Sequence, residues 1–435
     1  MGSGGNARAV QNVRMLMVMV SWATLPLAGA FSAPAPAGVN PAAIPPGVRA
    51  ADEAWPLFRG DSHLSGIAAS ALPAELELAW TYDAGKAITS SPVVAGGRVF
   101  FGADDHAVHC ADASSGAPVW KFMTEDLVEA PPLVLDGTVF IGSNDTFFYA
   151  IDAASGELRW KAPTMDKILG GANHVKVGER SVVVVGSYDN KLYAFDAATG
   201  EQLWAYETDN YVNGTPAIDD GRAIFGGCDA ILHVVDVTVG ERTAAVELGG
   251  DSHIAGSAAF LDGRAYFGHY GNQFVCVDVA KGEVVWAYDS PRQAFFSSPA
   301  ITDDLVVFGG RDRHLHCVRR ETGEPVWKFR TRRKVDGSPV VAGDAVVFGS
   351  DDGRMYVLGL EDGAQRWSYD IGEPVLSSPA VVDGRVYVGA NDGQLYCFAA
   401  AGSGEDRPAE AEPADDKARD DKAQNDEPKD REVKR

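Results

Sequence analysis

Cysteine is scarce in this sequence: there are five in 435 residues, with no Cys-x-x-Cys and no Cys/His pair at the spacing of metal ligands. Four of them fall at one repeated position, which other repeats fill with alanine: Cys110, Cys276, Cys317 and Cys397. Equivalent positions on neighbouring repeats lie too far apart for a disulfide. We therefore interpret these cysteines as small buried hydrophobic residues, and disulfides of an exported protein are the alternative.

Positive charge is scarce too, since 38 Lys and Arg stand against 61 Asp and Glu, and the net charge is −23. This balance argues against a general affinity for nucleic acid or anionic lipid, and we expect no nucleic-acid partner. Motifs of a phosphate-binding loop, a zinc protease, a nucleophile elbow or a catalytic carboxylate pair are also missing. The sequence therefore predicts no catalytic residue and no metal ligand.

A long apolar run occurs near the N-terminus, at residues 15–31, after two arginines. It ends in Ala28-Gly29-Ala30, a small-x-small pattern that suits signal peptidase. The run is short and contains Pro26, which favours a cleaved signal peptide (1–30) over an uncleaved anchor. We therefore expect a periplasmic or extracellular protein without an integral membrane span in the mature chain.

The remaining chain divides by composition into three parts. Residues 31–54 are rich in Pro and Ala and are interpreted as a linker. Residues 401–435 are almost all charged, Ala or Pro, which predicts a disordered tail that solubilises the protein or docks on a partner. The structured domain is expected to span 55–400, and we expect it to be a monomer.

A motif of the form Asp-x-x-x-Gly-x-x-x-Trp recurs about every 40 residues in this domain. Its tryptophans and glycines are Trp80, Trp120, Trp160, Trp204, Trp286, Trp327, Trp367, Gly116, Gly156, Gly200, Gly282 and Gly323. One repeat lacks the tryptophan, and Val246 is expected to fill its place. A period near 40 residues predicts the blades of a β-propeller. The glycine permits a tight turn with positive φ, and the tryptophan is expected to pack between blades.

Each repeat contains four short β-rich runs separated by Gly, Asp and Asn, which is typical of strands and turns. Seven repeats are complete, and the eighth, Val375–Ala400, supplies three strands. The missing strand is found at the other end of the domain, at Leu76–Tyr82, with Trp80 in register. The sequence therefore predicts an all-β fold: a single eight-bladed propeller of four-stranded antiparallel blades, with blade 8 closed by the N-terminal strand.

Blade 8 (Ser377–Phe398) and blade 3 (Ser187–Trp204) carry the repeat most closely. The repeat reads Ser-Ser-Pro-x-Val … Gly-x-Val-Tyr-Val-Gly-x-x-Asp-Gly-x-Leu-Tyr-x-x-Asp-x-x-x-Gly-x-x-x-Trp. It resembles the repeat of the pyrroloquinoline-quinone (PQQ)-like propellers over about 75–400. That family includes PQQ- and calcium-binding alcohol dehydrogenases, and non-catalytic propellers such as BamB of the outer-membrane β-barrel assembly machinery.

The resemblance implies two different functions. The dehydrogenases usually carry large insertions and a pair of adjacent cysteines against the quinone, whereas these repeats are minimal and no two cysteines are adjacent. The chain also lacks the lipid-accepting cysteine of BamB. We expect an exported, non-catalytic scaffold that binds a protein or other macromolecular partner, with no cofactor and with a BamB-like role in the envelope as one form of it. The alternative is a PQQ-dependent dehydrogenase that uses PQQ with calcium.

In a propeller, the loops from strand two to three and from strand four to the next blade share one face. On blades 5 to 7 these loops hold the residues of a predicted partner-binding face: Arg311, Arg313, His314, Arg332, Arg333, Lys334, Phe295 and Phe296. The alternative is ordinary solvated loop charge. A second group, Asn173-His174, His253 and His269-Tyr270, suits either a site for a metal or another ligand, or loop polar residues that are satisfied locally.

Overall fold

The computed structural model describes residues 54–290 and 293–402. Within these residues every regular element is a β-strand, and no helix long and apolar enough to cross a membrane is present. The strands form eight successive sheets, which confirms the all-β, eight-bladed propeller. The predicted signal peptide, nearly all of the linker and the tail from residue 403 lie outside the described residues.

Two strands precede the first complete blade: β1 (Ile67–Ala68) and β2 (Leu76–Asp83). Blade 1 comprises β3 (Val93–Ala95), β4 (Arg98–Ala103), β5 (Ala107–Asp112) and β6 (Pro118–Met123). Blade 2 comprises β7 (Leu133–Leu135), β8 (Thr138–Gly142), β9 (Phe147–Asp152) and β10 (Leu158–Pro163). Blade 3 comprises β11 (Asn173–Val177), β12 (Arg180–Ser187), β13 (Lys191–Asp196) and β14 (Gln202–Glu207). Blade 4 comprises β15 (Ala217–Asp219), β16 (Arg222–Gly226), β17 (Ile231–Asp236) and β18 (Glu241–Glu247).

The second half of the ring repeats this arrangement. Blade 5 comprises β19 (Ala259–Leu261), β20 (Arg264–His269), β21 (Gln273–Asp278) and β22 (Glu283–Asp289). Blade 6 comprises β23 (Ala300–Ile301), β24 (Leu305–Gly310), β25 (His314–Arg319) and β26 (Pro325–Arg330). Blade 7 comprises β27 (Val340–Ala342), β28 (Ala345–Ser350), β29 (Arg354–Gly359) and β30 (Gln365–Asp370). Blade 8 contributes β31 (Ala380–Val382), β32 (Arg385–Gly389) and β33 (Gln394–Ala400).

Blade 8 is closed by the N-terminal strand, as the sequence predicts. Strand β2 pairs antiparallel with β33 over its whole length, from Leu76 opposite Ala400 to Asp83 opposite Gln394. Trp80 lies opposite Cys397, the register that Trp120 and Cys110 have in blade 1. The two ends of the domain therefore share one sheet, which leaves no blade incomplete.

The predicted tryptophan motif joins most blades to the next. The indole N–H of Trp204, for example, donates to the Val237 carbonyl at 2.7 Å, and that of Trp327 donates to the Leu360 carbonyl at 2.8 Å. Most of the rings also cover the motif glycine of the following turn, which has positive φ, as Trp204 covers Gly240. The motif residues therefore hold the fold together, as expected.

One detail of the motif differs from the prediction. The tryptophan position of blade 4 is filled by Ala244, which lies opposite Val234 as Trp204 lies opposite Ala194 in blade 3. The assignment of Val246 to this position is wrong, because Val246 lies opposite Leu232, two residues further along the strand. The motif glycine of the next blade, Gly282, accordingly has no ring against it.

The segment before β2 crosses the propeller on the side of the strand one-to-two turns. Its carbonyls accept hydrogen bonds from inner strands of blades 2, 4, 5, 6 and 7, for example Ser62 from Ile218 at 2.7 Å. Trp55 forms a bridge with Val94 of blade 1. Arg59 is 1% exposed and donates to the carbonyls of two prolines in blades 6 and 7, Pro299 at 3.0 Å and Pro339. This segment seals one end of the central channel.

Burial also decides the meaning of the Arg59-Gly60-Asp61 tripeptide, which matches an adhesion motif. The Arg59 guanidinium has no carboxylate ion pair among the described residues, and burial lowers its pKa to about 9. A side chain enclosed in this way is inaccessible to a receptor, so the tripeptide is a structural part of the seal.

Candidate functional site

A central channel of about 350 Å³ runs along the propeller axis. Its wall is a chain of backbone amides that donate to hydroxyls of the next blade at 2.9–3.1 Å. The amides and hydroxyls belong in order to Gly171, Thr215, Ser257, Ser298, Ser338, Ser378 and Ser91. The chain is interrupted at blade 2, where Pro131 has neither an N–H nor a hydroxyl. The residues along the axis are small because each amide must reach the hydroxyl of the neighbouring blade.

The open end of the channel lies opposite the N-terminal segment. Each blade contributes one side chain, from the residue before its paired small residues, and we call this set the mouth ring: Thr89, Glu129, Leu169, Asn213, Ala255, Phe296, Asp336 and Leu376. The loops between strands two and three contribute a second, outer set: Asp104, Asn144, Tyr188, Cys228, Tyr270, Arg311, Asp351 and Asn391. The residue types of both sets vary from blade to blade, whereas the small residues that line the channel below them repeat.

Aromatic side chains form one half of this face. Tyr188 and Tyr211 stack with ring centroids 4.7 Å apart, and the Tyr188 hydroxyl donates to Asn213 Oδ1 at 3.0 Å. The centroid of the Tyr270 ring lies 4.5 Å from that of Phe296. Tyr211 and Tyr270 are 44% and 49% exposed, which is unusual for rings of this size. The arrangement suits contact with another macromolecule.

Carboxyl groups form the opposite part of the mouth. Asn144 Nδ2 donates to Glu129 Oε2 at 2.7 Å, and Asp104 lies near the same glutamate. Partial burial raises the pKa of Asp104, and the charge of Glu129 adds to this effect. Asn144 and Asn213 stand in glycosylation sequons, yet both amides are hydrogen-bonded within the mouth. Neither is presented as an exposed acceptor.

The structure separates the predicted partner-binding residues into three groups, of which the first is neutralised. The Arg311 guanidinium forms two parallel contacts with the Asp336 carboxylate, at 3.1 and 3.0 Å, and lies 3.8 Å from the centroid of the Phe296 ring. Lys334 Nζ lies 2.5 Å from Asp336 and 3.4 Å from Asp351. These two cations are held by carboxylates of adjacent loops, so they do not add free positive charge to the face.

The second group of predicted partner-binding residues remains available to a partner. Arg313, Arg332 and Arg333 are exposed and form no ion pair among the described residues. His314 is partly exposed, and its Nδ1 lies 2.9 Å from the Asp312 carbonyl oxygen. The free positive charge of the predicted face is therefore smaller than its sequence suggests, and it lies at the outer side of blade 6.

The third group is Phe295, whose prediction as part of an exposed face is wrong. It is 1% exposed and packs between the rings of Phe274, Tyr288 and Phe308. Its Cβ fills the space above Gly268, where the other blades place a buried Val or Ile against the equivalent glycine. Phe296, the next residue, is at the mouth, because adjacent side chains point in opposite directions.

The second predicted group is not assembled into one site. Asn173 occupies the inner-strand position of Val93 and donates to the Ser62 and Pro216 carbonyls. His269 is buried, which lowers its pKa to about 4. No cluster of three or more His, Cys, Asp or Glu residues that suits a metal ion occurs in the part of the chain that the structure describes.

Three buried Tyr–His–Asp relays were not foreseen from the sequence. In blade 6, the Tyr288 hydroxyl lies 3.1 Å from His316 Nδ1, and His316 Nε2 lies 2.9 Å from Asp312. The same relay occurs at His109 in blade 1 and at His233 in blade 4. Each tyrosine comes from the preceding blade. The signal in the sequence is a tyrosine two residues after the motif tryptophan, followed 27 or 28 residues later by a histidine.

These relays join blades rather than serve a substrate. The histidine side chains are 1–3% exposed, and burial lowers the pKa of His109 and of His316. Blades 2, 3, 7 and 8 instead use a tyrosine that donates directly to the aspartate, as Tyr149 does to Asp145 at 2.7 Å. Blade 5 has neither the aspartate nor the histidine, since Gly271 stands at the aspartate position.

All five cysteines are unpaired, and burial raises their pKa values, to about 12 for Cys110 and Cys317. The interpretation of the four repeat cysteines as small core residues is confirmed. A raised thiol pKa leaves little thiolate at neutral pH, so these residues are unsuited to nucleophilic chemistry.

Fold and mouth together define a minimal eight-bladed propeller with one sealed and one open end. A family model described as outer membrane protein assembly factor BamB matches residues 70–173, 149–243, 228–317 and 311–406. The chain belongs to this family. No curated protein sequence matches it.

Solved structures share the fold at low sequence identity. BamB from Moraxella catarrhalis is 19% identical, with a TM-score of 0.63, over 75% of this chain and 100% of that one. Quinohemoprotein alcohol dehydrogenase from Comamonas testosteroni is 16% identical, with a TM-score of 0.69, over 82% and 81%. The computationally designed Ika8 protein is 18% identical, with a TM-score of 0.65, over 77% and 99%. An assembly factor, an enzyme and a design share this architecture, so the fold alone does not select a function.

Proposed function

We propose that this protein is an exported, non-catalytic scaffold that binds a protein partner with its mouth face. The observation that carries the proposal is the chemistry of that face. Exposed Tyr211 and Tyr270 and partly buried Phe296 lie at the open end of a channel that is sealed behind them. The unpaired arginines of blade 6 lie at the outer side of the same face. Aromatic residues and arginine are the residues that most often anchor protein interfaces.

The alternative, a PQQ-dependent dehydrogenase, fits the mouth poorly. PQQ carries three carboxylates and would act as the acceptor of substrate electrons, with calcium held by several oxygen ligands. Two cations beside the mouth ring, Arg311 and Lys334, are already bound to Asp336. The carboxylates of the mouth ring, Glu129 and Asp336, belong to blades 2 and 7. The paired cations and the separated carboxylates of the mouth ring support the scaffold over the dehydrogenase.

Cofactor loading tests the choice between the two functions. Purified protein is incubated with PQQ and Ca²⁺, passed through gel filtration, and assayed for quinone absorbance and for alcohol-dependent dye reduction. We expect neither to be observed. Stoichiometric quinone absorbance together with turnover would establish the dehydrogenase and end the scaffold proposal.

Partner capture tests the face itself. The bait is the exported protein, compared with a Tyr211→Ser/Tyr270→Ser variant that removes exposed rings without touching the core. A matched control is Val119→Ser/Val284→Ser, which removes exposed apolar groups from outer strands. We expect only the mouth variant to lose a partner cross-linked in the native compartment. Equal capture by both variants would exclude the mouth face.

Export is the other half of the proposal. It is supported by the apolar segment at 15–31 and by the family. Residue 54 and Gly402 both lie on the sealed side, since Trp55 pairs with Val94 and the Gly402 amide donates to Glu77. N-terminal sequencing of the mature protein is expected to begin after Ala30, and intact Met1 on cytosolic protein would contradict export.

A further inference from the structure

Blade 6 carries a line of exposed cations on its outermost strand and the loops beside it. We call this set the blade 6 strip: Arg313, Lys328, Arg330, Arg332 and Arg333. All five residues are exposed, and none forms an ion pair among the residues that the structure describes. In a chain of net charge −23, such a local excess of positive charge is unexpected.

The backbone holds three of these arginines close together. The Thr331 amide donates to the Arg313 carbonyl at 2.9 Å. The Thr331 hydroxyl lies 3.0 Å from the same carbonyl oxygen and 2.5 Å from the Arg333 carbonyl oxygen. The Arg332 amide donates to Asp352 Oδ2 at 2.9 Å. These hydrogen bonds therefore fix the backbone of the loops that carry the strip. A ligand does not have to order these loops before it binds.

Folding does not require an arginine at position 313. Its backbone has φ 67°, and the equivalent residue of every blade also has positive φ. The other blades fill this turn position with uncharged side chains or histidine: His106, Thr146, Asn190, Ala230, Asn272, Gly353 and Gly393. Because asparagine or glycine adopts this conformation at lower cost, the positive charge of Arg313 serves no purpose in the turn itself.

The other blades provide a second internal comparison, at the position of Arg330. Five of them have an acid there: Asp83, Glu207, Glu247, Asp289 and Asp370. Two of these acids pair with a cation across the sheet, as Asp370 does with Arg354, whereas Arg330 faces His314. Exposed charge of either sign protects an edge strand from pairing, so edge protection does not explain why blade 6 has the opposite sign.

We propose that the blade 6 strip binds an acidic polypeptide segment, a stretch rich in Asp and Glu on the partner protein. Four arginines within one strand end and two loops suit carboxylate pairs, because the guanidinium fork matches a carboxylate. The strip is short and runs from the end of one strand into the two adjoining loops, which fits an extended segment better than a flat membrane or a duplex. This inference rests on the scaffold function and names the chemistry of its partner.

The test uses the full-length mature protein and a fluorescein-labelled poly-Glu peptide, with binding followed by anisotropy. The strip variant is Arg330→Glu/Arg332→Glu/Arg333→Glu. The matched control, Lys86→Glu/Lys161→Glu/Lys176→Glu, changes net charge equally at exposed positions of other blades. We expect the affinity for poly-Glu to fall at least about tenfold in the strip variant and to change by less than about threefold in the control. Added salt should weaken the binding.

Three further arms decide what occupies the strip. A variant that lacks residues 403–435 is expected to bind poly-Glu as the full chain does. If only the shortened chain binds, the chain's own tail is the occupant and a partner segment is excluded. Strip-dependent binding to anionic lipid vesicles or duplex DNA, without poly-Glu binding, would also overturn the proposal, as would no binding at all. Circular dichroism confirms folding of each variant.

The outcome is separable from that of the scaffold proposal. Quinone retention with turnover would refute the scaffold while leaving poly-Glu binding measurable. Failure of poly-Glu binding without quinone turnover would refute only the acidic segment, and capture through the aromatic mouth would still decide the scaffold.

Discussion

The packing of the motif tryptophan on the glycine of the next blade predicts a specific pattern of stability losses. Gly200 has φ 75°, and an added Cβ would lie 2.6 Å from the Trp160 ring. Gly282 has φ 69° and nothing within 4 Å of an added Cβ. Gly200→Ala and Gly282→Ala therefore share the backbone cost and differ in the displaced ring.

The expected magnitudes follow from these contacts. An alanine in the left-handed region costs about 1–2 kcal/mol, and Gly282→Ala should lose no more than this. In Gly200→Ala the Trp160 ring must also move, which adds about 1–3 kcal/mol for overpacking. The indole hydrogen bond to the Ala197 carbonyl, at 3.1 Å, is worth about 1 kcal/mol more. We expect Gly200→Ala to lose about 2–4 kcal/mol beyond Gly282→Ala.

Urea unfolding followed by circular dichroism measures both losses. A double-mutant cycle isolates the ring, because Gly200→Ala made together with Trp160→Ala recreates the environment that Ala244 gives to Gly282. There the glycine substitution should cost only the backbone term. Equal losses for Gly200→Ala and Gly282→Ala, or an unchanged cost of Gly200→Ala when the tryptophan is absent, would refute the role given to Trp160.

Two further predictions concern the same scaffold. Burial holds the pKa of His316 below 6.5, so the unfolded chain binds more protons and stability should fall as pH drops below about 6.5. The variant His316→Tyr/Tyr288→Phe copies the arrangement of blade 2. Its unfolding midpoint should fall less between about pH 7 and pH 5 than that of the unchanged protein. An identical fall in both proteins would count against the role given to the relay. Deleting residues 72–84 opens blade 8 and should abolish cooperative unfolding. Deleting residues 403–435 should leave the unfolding midpoint unchanged. Comparable losses of stability in the two variants would contradict the closure of blade 8 by the N-terminal strand.

The blade count and the closure were predictable because both follow from the repeat pattern in the sequence. Strand length, turn glycines and the tryptophan spacing repeat within about 40 residues, and a repeat that lacks one strand specifies where the missing strand must come from. Trp80 alone identifies that strand. Burial of Phe295 was predictable in the same way, since its repeat position holds Val or Ile in the other blades. The place of Ala244 also follows from counting four residues beyond Gly240, as in the other repeats.

The mouth was less predictable, because its side chains meet partners from other loops and blades. The sequence showed that Arg311, Lys334, Arg332 and Arg333 are basic. It did not show that Asp336 and Asp351 pair with the first two and leave the other two free. Burial of Arg59 on the axis likewise depends on the whole ring closing around it.

The sequence by itself therefore determined the architecture: eight four-stranded blades, joined by tryptophans and closed by the N-terminal strand. The tertiary structure decided which charges are paired, which end of the channel is sealed and which rings are exposed. The physical reason is the sequence separation of the residues that interact. Turns and strand periodicity are fixed by residues close in sequence, whereas the net charge and exposure of a surface are fixed by side chains about one blade, or about half the chain, apart.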